Sequence, residues 1–519
     1  MTSYTSPRSH GRSLGPGLAL TAAIAVSAAL IAPTASAAPG HSARPAAAPA
    51  DRAGTAAGAV AKPVAKPEDF NGDGYRDVAV SASRATVNGH RNAGYVAVLY
   101  GSKSTALPAK RQIIHQDTPG IPGTAEPGDG YGSTLAASDL DRDGYTDLLV
   151  ESSDGTGADG RHGMISAVWG GRGGLKGSAV VARGSARDRI GSVLTGDFDG
   201  DRNPDFATVL GAETDDGGHV TQLRVSYGPF TRAGTAARVA TAGERKDHSH
   251  DDLVAGDLNG DGRTDVVAVR EWIADITPRP YVEVRMGGAK GLSGTATRLR
   301  KGDMDLQGRS LGIGDVNKDG FKDIVMGGGG RWSTRPGDHV LGGLITFVPG
   351  SAQGAVPQRA AFVHQNTPGV PGTDEMGDGF GVGVSVGDIN GDGYADVSTG
   401  VQYEDLDGVR DAGAVVTLRG SKSGLTGAGA TSFSQNTAGV PGAAEAMDQF
   451  GTATKLVDLD NDKRAELLVG APHENASEGA VWILRATKSG ITPKGAVTFG
   501  SGTLGMKAPR GWLGTAFNR

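Results

Sequence analysis

The stretch Asp388-Ile-Asn-Gly-Asp-Gly-Tyr-Ala-Asp396 decides the fold. Carboxylate or amide side chains occupy positions 1, 3, 5 and 9 of this nine-residue loop, and such oxygen ligands suit a hard cation such as Ca²⁺. The backbone carbonyl of Tyr394, at position 7, supplies one more oxygen. Gly393, at position 6, permits the sharp turn that returns position 9 to the ion. The stretch therefore predicts a calcium-binding loop.

Six further copies of this pattern stand along the chain, and the first residues of successive copies are 58 to 73 positions apart. Asp, Asn and Gly also build ordinary turns, so one match would be a weak signal. Seven matches at regular intervals are hard to reach by chance. The predicted calcium ligands, with position 7 acting through its backbone carbonyl, are Asp69, Asn71, Asp73, Tyr75, Asp77, Asp139, Asp141, Asp143, Tyr145, Asp147, Asp197, Asp199, Asp201, Asn203, Asp205, Asp257, Asn259, Asp261, Arg263, Asp265, Asp315, Asn317, Asp319, Phe321, Asp323, Asp388, Asn390, Asp392, Tyr394, Asp396, Asp458, Asp460, Asp462, Arg464 and Glu466.

The third and seventh loops depart most from the pattern. Arg202 and Lys463 stand where the turn glycine is expected, and Glu466 replaces the last aspartate. We therefore expect up to seven calcium ions, with these two sites the weakest. A helix-flanked loop of the EF-hand type does not fit, because it needs a bidentate Glu at position 12. Val80 and Thr399 stand there, inside strand-like runs.

Each loop is followed by two short strand-like runs. In the sixth copy these are Val397-Ser-Thr and Ala414-Val-Val-Thr-Leu, and a weaker third run follows a glycine-containing turn. Another strand precedes the loop, and an aromatic-Gly pair opens it in several copies. Four short antiparallel strands per repeat form a propeller blade. Seven repeats therefore predict an all-β, seven-bladed β-propeller with four-stranded antiparallel blades and calcium-binding loops.

The first repeat lacks the strand that should precede its loop, because Asp69 stands at the start of the domain. Residues 511–519, Gly-Trp-Leu-Gly-Thr-Ala-Phe-Asn-Arg, look like that missing strand. If this segment joins the first blade, it closes the ring and removes the exposed sheet edges.

The seventh repeat carries the signature of a known family. Phe450-Gly451 precedes the loop, and Leu467-Leu-Val-Gly-Ala-Pro472 follows it. In these motifs the chain resembles the FG-GAP repeat propeller of integrin α subunits and its bacterial secreted relatives, over about residues 67–519. The sixth repeat departs from the signature, with Ser398-Thr-Gly400 in the Gly-Ala-Pro region. The resemblance implies the fold and says little about the ligand.

The N-terminus has the features of a secretory signal peptide. Two arginines precede an apolar, alanine-rich run at residues 18–31, and Ala35-Ser-Ala37 offers a cleavage site. A short membrane anchor is the alternative, but the run is too short to favour a permanent span. No later apolar stretch is long enough to cross a bilayer. We therefore expect a secreted, extracellular protein with no stable membrane anchor after processing.

The sequence accordingly divides into three parts. Residues 1–37 form the predicted signal peptide, and residues 38–66 form an Ala/Pro-rich linker without periodicity. Residues 67–519 form the predicted propeller. The chain contains no cysteine, so calcium is the candidate replacement for disulfides as a stabilising element.

The acidity of the chain is largely directed at the predicted metal sites. The formal net charge is −6, and the seven loops hold 24 of the 57 acidic residues. Net acidity therefore need not indicate a basic partner. No phosphate-binding loop and no basic nucleic-acid stripe occurs, so nucleic acid is not an expected partner. We expect a monomer.

Three connecting segments match one another closely and precede the aromatic-Gly strands. They are residues 115–126, 364–375 and 434–445, each built around Gln-Asn/Asp-Thr-Pro/Ala-Gly-Ile/Val-Pro-Gly. A packing loop of fixed shape is one interpretation. A ligand-binding rim is the other, since long loops on a rigid scaffold often carry function. Trp272, Arg331 and Trp332 lie in connections expected on the same face.

Signals for an enzyme are poor. Gly383-Val-Ser-Val-Gly387 matches the nucleophile-elbow pattern but runs along a predicted strand, where a strand-to-helix turn is required. His248 and His250, with Asp247, Asp251 and Asp252, could bind a transition metal. The alternative interpretation of these residues is a solvated polar loop.

We therefore expect a secreted, calcium-binding propeller that acts as a non-catalytic binding or adhesion module for an extracellular protein or glycan. The alternatives are a hydrolase or lyase that uses carboxylates such as Glu375 and Asp378 on the face opposite the calcium loops, and a structural cell-wall protein.

Overall fold

The computed structural model describes residues 65–104, 109–153, 162–185, 187–213, 219–246, 248–272, 280–329, 341–506 and 509–519. All described residues belong to one compact unit, Ala61–Arg519. The predicted signal peptide and all but the last two residues of the predicted linker lie outside the described residues. No helix in the described ranges is long and apolar enough to cross a membrane.

Alternating apolar and β-branched residues make almost all regular structure extended. Five sheets stand apart as antiparallel blades, one with three strands and four with four strands. Their strands are β1 (Val78–Ala82), β2 (Tyr95–Leu99) and β3 (Arg111–Ile114); β4 (Leu135–Ser138), β5 (Asp147–Ser152), β6 (Met164–Val168) and β7 (Ser178–Arg183); β8 (Asp188–Gly196), β9 (Asp205–Glu213), β10 (His219–Tyr227) and β11 (Arg238–Lys246); β12 (His248–Gly256), β13 (Asp265–Trp272), β14 (Tyr281–Arg285) and β15 (Thr297–Arg298); and β26 (Ala453–Val457), β27 (Glu466–Ala471), β28 (Ala480–Thr487) and β29 (Gly490–Gly500).

The remaining strands form a small hairpin and one eight-stranded sheet. The hairpin pairs β16 (Arg300–Lys301) with β17 (Met304–Asp305). The large sheet contains β18 (Ser310–Gly314), β19 (Asp323–Gly329), β20 (Gly343–Val348), β21 (Ala361–Val363), β22 (Phe380–Gly387), β23 (Asp396–Val401), β24 (Ala414–Arg419) and β25 (Thr426–Phe433). Helical structure in the described ranges is limited to a 3₁₀ turn, Pro357–Arg359, and a four-residue turn, α1 (Glu474–Ser477).

The expectation of seven separate sheets is wrong in this respect. The eight-stranded sheet arises because β20 and β22 are joined by a single parallel pair, Gly343 with Phe380. A Cβ atom on Gly343 would lie 2.1 Å from the carbonyl oxygen of Phe380. The absence of a side chain at residue 343 therefore allows two groups of four strands, β18–β21 and β22–β25, to meet within one sheet. We call each such set of consecutive strands, including each separate blade, a strand group.

The apolar core lies between neighbouring strand groups rather than at one centre. The described residues form seven hydrophobic clusters. Each cluster draws on two strand groups that face one another; one, for example, packs Phe380 and Val397 against Val325 and Ile345. Another packs Val80 of the first group against Leu468 of the last. Burial between faces of successive sheets is the packing expected of a propeller.

Residues 513–518 pair with β1, as the sequence predicts. Ser81 N–H donates to Ala516 C=O at 2.9 Å, and Gly514 N–H donates to Ser81 C=O at 3.0 Å. Asn518 N–H donates to Ala79 C=O at 3.1 Å, and Phe517 is buried. This segment, which we call the closing strand, supplies the fourth strand of the three-stranded blade and covers the edge that β1 would otherwise expose.

Deletion of residues 511–519 should expose the edge of β1 and uncover the apolar cluster around Phe517. We expect a lower melting temperature and aggregation, because an unpaired strand edge templates pairing between chains. Light scattering after size exclusion, together with calorimetry, measures both effects. Arg510→Ala, at an exposed position just before the segment, is the matched control. A truncated protein that stays monomeric with unchanged melting would contradict this closure.

Candidate functional site

The seven acidic loops share one hydrogen-bonded shape. In the loop Asp388–Asp396, the carboxylate at position 1 accepts the N–H groups of Gly391 at 2.7 Å and Gly393 at 2.8 Å. The side chains at positions 3 and 5 each accept the N–H group two residues further on, at 3.0 and 2.9 Å. These bonds turn the loop around the side-chain oxygens, which is the local geometry that cation binding requires.

The acidic residue at position 9 is the buried anchor of every loop. One oxygen of its carboxylate accepts the N–H group of position 2, at 2.8 to 3.0 Å. In six loops the other oxygen accepts the N–H group of a glycine that follows the next strand, at 2.8 to 2.9 Å. These anchors, all at most 1% exposed, are Asp77, Asp147, Asp205, Asp265, Asp323, Asp396 and Glu466.

Burial raises the pKa of all seven anchors. The pKa of Asp77 and that of Asp147 rise to about 8, and that of Glu466 also rises to about 8. The pKa of Asp205 rises to about 7, while Asp265, Asp323 and Asp396 reach about 6. Neighbouring loop carboxylates add to the rise. A bound cation would reverse this balance, because it favours the ionised form.

Three loops bring carboxylates together closely enough to hold one ion. Positions 1, 3 and 9 offer oxygens that all lie within 4.8 Å of one another. These are the loops with Asp rather than Asn at position 3. The clusters are Asp139, Asp141 and Asp147; Asp197, Asp199 and Asp205; and Asp458, Asp460 and Glu466. The position-5 carboxylates do not belong to these clusters, and their Oδ1 atoms accept the N–H group of position 7 instead.

The third and seventh loops, expected to be the weakest, are two of these three. Arg202 and Lys463 replace glycine but adopt the same left-handed backbone, with φ of 68° and 70°. Their N–H groups each donate to the carboxylate at position 1 at 2.9 Å. The loop shape therefore survives the substitution at some cost in backbone strain. The side-chain positions give no support to ranking these two loops last.

Arginine side chains form ion pairs with the carboxylates of several acidic loops. Arg232 forms ion pairs with Asp141, at 2.5 Å, and with Asp143. Arg238 pairs with Asp199 at 3.1 Å in the third loop, and Arg464 pairs with Asp462 inside the seventh. These arginines neutralise part of the negative charge that would attract Ca²⁺, so we expect them to compete with the metal ion.

The predicted segments 115–126, 364–375 and 434–445 share one structure at the opposite end of the strands from the acidic loops. A threonine Oγ1 accepts the N–H group three residues earlier in each segment, at 2.9 to 3.0 Å. The glutamine that follows this N–H group is buried in all three: Gln116, Gln365 and Gln435. This common shape supports the packing interpretation, and it holds the exposed part of each segment in place.

The two carboxylates singled out for a possible hydrolase differ in environment. Glu375 is exposed, whereas Asp378 is 6% exposed and accepts the N–H group of Glu375 at 3.0 Å. Burial, and then neighbouring acidic groups, raises the pKa of Asp378 to about 6. Glu404, which the sequence analysis missed, lies beside it, and burial raises its pKa to about 7. The sequence signal that could have pointed to this environment is Gln365, because a glutamine recurs at the same position of all three matched segments.

The other sequence candidates do not assemble into a catalytic centre among the described residues. Gly383 to Gly387 lies within β22, so the nucleophile-elbow interpretation lacks its strand-to-helix turn. Asp252 accepts the N–H group of Leu311 at 2.7 Å and pairs with Arg519 at 2.5 Å. Asp247, Arg331 and Trp332 lie outside the described residues, as do the side chains of Trp272, His248, His250 and Asp251.

A cavity of about 1190 Å³ lies among the first strands of the strand groups. Seven of the segments that line it are the innermost strands of the blades, at residues 137–139, 194–195, 252–255, 309–313, 382–386, 452–456 and 515–519. Residues 65–68 and several residues of the acidic loops line it as well. The cavity is the central channel of a propeller.

Comparison with known proteins agrees with this architecture. A family model of the FG-GAP repeat matches residues 66–99, 380–418 and 450–484. These ranges contain the first, sixth and seventh acidic loops with their flanking strands. The chain contains FG-GAP repeats in these three ranges.

The chain resembles integrin α subunits in sequence. Integrin alpha-4 of Xenopus laevis is 32% identical over 123 residues, which are 24% of this chain and 11% of that protein. Integrin alpha pat-2 of Caenorhabditis briggsae is 28% identical over 242 residues, 44% of this chain and 18% of that protein. The matched part is thus less than a fifth of either integrin.

Among solved structures, a rhamnogalacturonan lyase PL11 of Bacillus licheniformis covers 84% of this chain and 73% of its own. The identity is 13% and the TM-score is 0.38. This likeness is too distant to bear on the chemistry of this chain.

Calcium should reverse the pH dependence that the buried anchors give. Without metal, the folded-state pKa of an anchor such as Asp147 is about 8, above its unfolded value of about 3.8. Its protonated carboxyl stabilises the fold fully at pH values below about 3.8, and this stability is lost as the pH rises through about 8. With calcium, ionisation favours binding, so stability should increase over the same range. We expect the gap in melting temperature between calcium and EDTA to be wider at pH 8 than at pH 5. A gap that narrows would contradict metal binding at the anchors.

Arg232→Ala should strengthen calcium binding at the second loop, because it removes a competing cation. An exposed ion pair contributes about 0.2–1 kcal/mol, so the dissociation constant of one site should fall about 1.4- to fivefold. Isothermal titration with calcium measures this change. Arg91→Ala, an exposed arginine at the opposite end of the strands, is the control. Equal affinities in both variants would show that Arg232 does not compete.

Proposed function

We propose that this chain is a secreted, calcium-stabilised propeller of seven blades that acts as a non-catalytic binding or adhesion module. The observation that carries the binding role is an apolar surface at the end of the strands opposite the acidic loops. Its side chains are Leu341, Met376, Tyr403 and Met447, which are 39 to 70% exposed. We call this surface the apolar rim.

The members of the apolar rim come from neighbouring connections. Gly377 N–H donates to Leu341 C=O at 3.3 Å, and Tyr403 N–H donates to Asp378 C=O at 2.9 Å. Met447 N–H donates to Arg410 C=O at 2.9 Å. Exposed apolar side chains grouped on a rigid scaffold are typical of an interaction surface. Methionine in particular suits contact with varied partners, because its side chain is flexible and polarisable.

The count of seven blades rests on the cyclic arrangement of the core. Seven apolar clusters separate seven strand groups when β18–β21 and β22–β25 are counted individually. The innermost strands that line the central cavity also number seven, when the closing strand is counted with the first blade. The single pair between Gly343 and Phe380 is then a contact between two blades.

A protein is the partner that the apolar rim favours over a glycan. Glycan sites rely on flat aromatic faces and fixed polar groups, whereas the rim offers two methionines, a leucine and one tyrosine. Extracellular location is supported by the predicted signal peptide at residues 1–37. Similarity to integrin α subunits supports an adhesion role, and calcium binding is supported by the convergent carboxylates of the loops.

Replacing the two exposed methionines tests the binding role. Met376→Asp with Met447→Asp should abolish binding to the partners that the mature protein captures on an array of extracellular proteins and glycans. Val239→Asp, also at an exposed position, should leave binding intact. Retention of the same partners by the double variant would contradict the role of the apolar rim. Selective capture of glycans would overturn the choice of a protein partner.

Export tests the localisation. Expression of the full chain should yield an extracellular product that begins after Ala37 or close to it, as read by N-terminal sequencing. An extracellular product that keeps residues 1–37 would contradict the signal peptide.

A further inference from the structure

Two buried polar sites of the same construction lie beneath the matched segments. One contains Gln365, Asp378 and Glu404, and the other contains Gln435, Asp448 and Glu474. The glutamine and the aspartate precede the aromatic-Gly strand, and the glutamate follows the second strand of the same blade. We call them the β22 site and the β26 site, after the strand that each one precedes.

In each site the protein uses only part of the available oxygen atoms. In the β26 site, Gln435 Nε2 donates to Glu474 Oε2 at 2.7 Å, and Glu445 N–H donates to Asp448 Oδ2 at 2.9 Å. The carboxyl groups of Asp448 and Glu474 are themselves in hydrogen-bonding contact. These contacts draw the amide and both carboxyl groups into one cluster.

The β22 site repeats these contacts at slightly longer distances. Gln365 Nε2 donates to Glu404 Oε2 at 3.2 Å, and Asp378 Oδ2 accepts the N–H group of Glu375 at 3.0 Å. Each site therefore joins the amide group of a glutamine to the carboxylate of a glutamate, next to the carboxylate of an aspartate. Two sites with different flanking residues have kept one arrangement.

The glutamine oxygen indicates that a ligand is missing from each site. Gln365 is 3% exposed and Gln435 is 2% exposed, yet the Oε1 atom of each has no hydrogen-bond partner. A buried acceptor without a partner costs about 1–3 kcal/mol. Because Nε2 of the same amide donates to the glutamate, Oε1 lies one amide group away from that carboxylate. An acceptor beside a carboxylate calls for a donor or a cation.

The charges around the β22 site are acidic. After burial itself, Asp378, Glu375 and Asp405 raise the pKa of Glu404. The groups that raise the pKa of Asp378 are Glu375, Asp374 and Asp405. None of the ion pairs described for the arginines of the acidic loops reaches these carboxylates. Among the described residues, no ion pair joins a guanidinium group to the carboxylates of the β22 site.

We propose that the β22 and β26 sites each bind a hard divalent cation of the Ca²⁺ class through one amide oxygen and two carboxylates. Oxygen ligands of this kind, one of them neutral, match what calcium prefers in proteins. Each ion links a matched segment to the connection after the second strand of the same blade. These ions are additional to those of the seven loops and lie at the other end of the strands.

Calcium stoichiometry of the full chain tests the assignment. Glu404→Gln and Glu474→Gln preserve shape and can still accept the glutamine N–H group, but remove the charge. Each should lower the number of ions bound in equilibrium dialysis by one, and the double variant by two. Glu375→Gln, at an exposed neighbouring residue, should leave the number unchanged. Asp388→Asn should remove one ion from its loop, so the loops and the two new sites are scored separately.

A second measurement distinguishes the two sites. Trp482 lies beside the β26 site, where its Nε1–H donates to Pro441 C=O at 2.8 Å. Terbium bound there should emit on indole excitation, and Glu474→Gln should reduce this emission while Glu404→Gln should not. If Glu474→Gln fails to fold, Gln435→Met serves instead and should weaken the same signal. Unchanged ion counts and emission in folded variants would overturn the assignment and leave a shared proton between the carboxyl groups.

Discussion

The fold depends on a buried carboxylate that ends each acidic loop. In six of the seven loops this side chain connects the second residue of the loop to a glycine at the far side of the next hairpin, so one residue ties three chain segments together. The arrangement recurs in the described blades because each repeat supplies the same Asp or, once, Glu. Burial makes this carboxylate costly to ionise without a counter-ion. Structural anchoring and metal affinity therefore converge on the same residue.

Glycine contacts set how closely neighbouring strand groups approach. A Cβ atom on Gly327 would lie 1.9 Å from the carbonyl oxygen of Gly381, and one on Gly400 would lie 1.9 Å from that of Gly451. A Cβ atom on Gly470 would lie 2.0 Å from the carbonyl oxygen of Gly514. The glycines of two aromatic-Gly pairs, Gly381 and Gly451, thus pack on a glycine in the second strand of the preceding group. Gly514 of the closing strand makes the same contact with Gly470 of the last strand group. The closing strand therefore takes the place that the aromatic-Gly strand takes in other repeats.

The two ends of the strands carry different chemistry. At one end, the acidic loops combine convergent carboxylates with arginines that neutralise them. At the other end, the matched segments bury glutamines and carboxylates beneath exposed methionines. Because both ends are fixed to the same short strands, cations at either end would stiffen the blades that support the apolar rim.

The repeat, the shape of the acidic loops and the closing strand were predictable from the sequence, because each depends on residues that are close in the chain or on a motif that recurs. Asp388 to Asp396 shows this for the loops, and residues 511–519 show it for the closing strand. Three features depended on tertiary structure. The joining of β20 and β22 depends on the approach of Gly343 to Phe380, and the competition of Arg232 with a metal depends on a contact between distant repeats. The pairing of Gln435 with Glu474 likewise requires the fold, because burial and hydrogen bonding between remote segments decide which carboxylates meet.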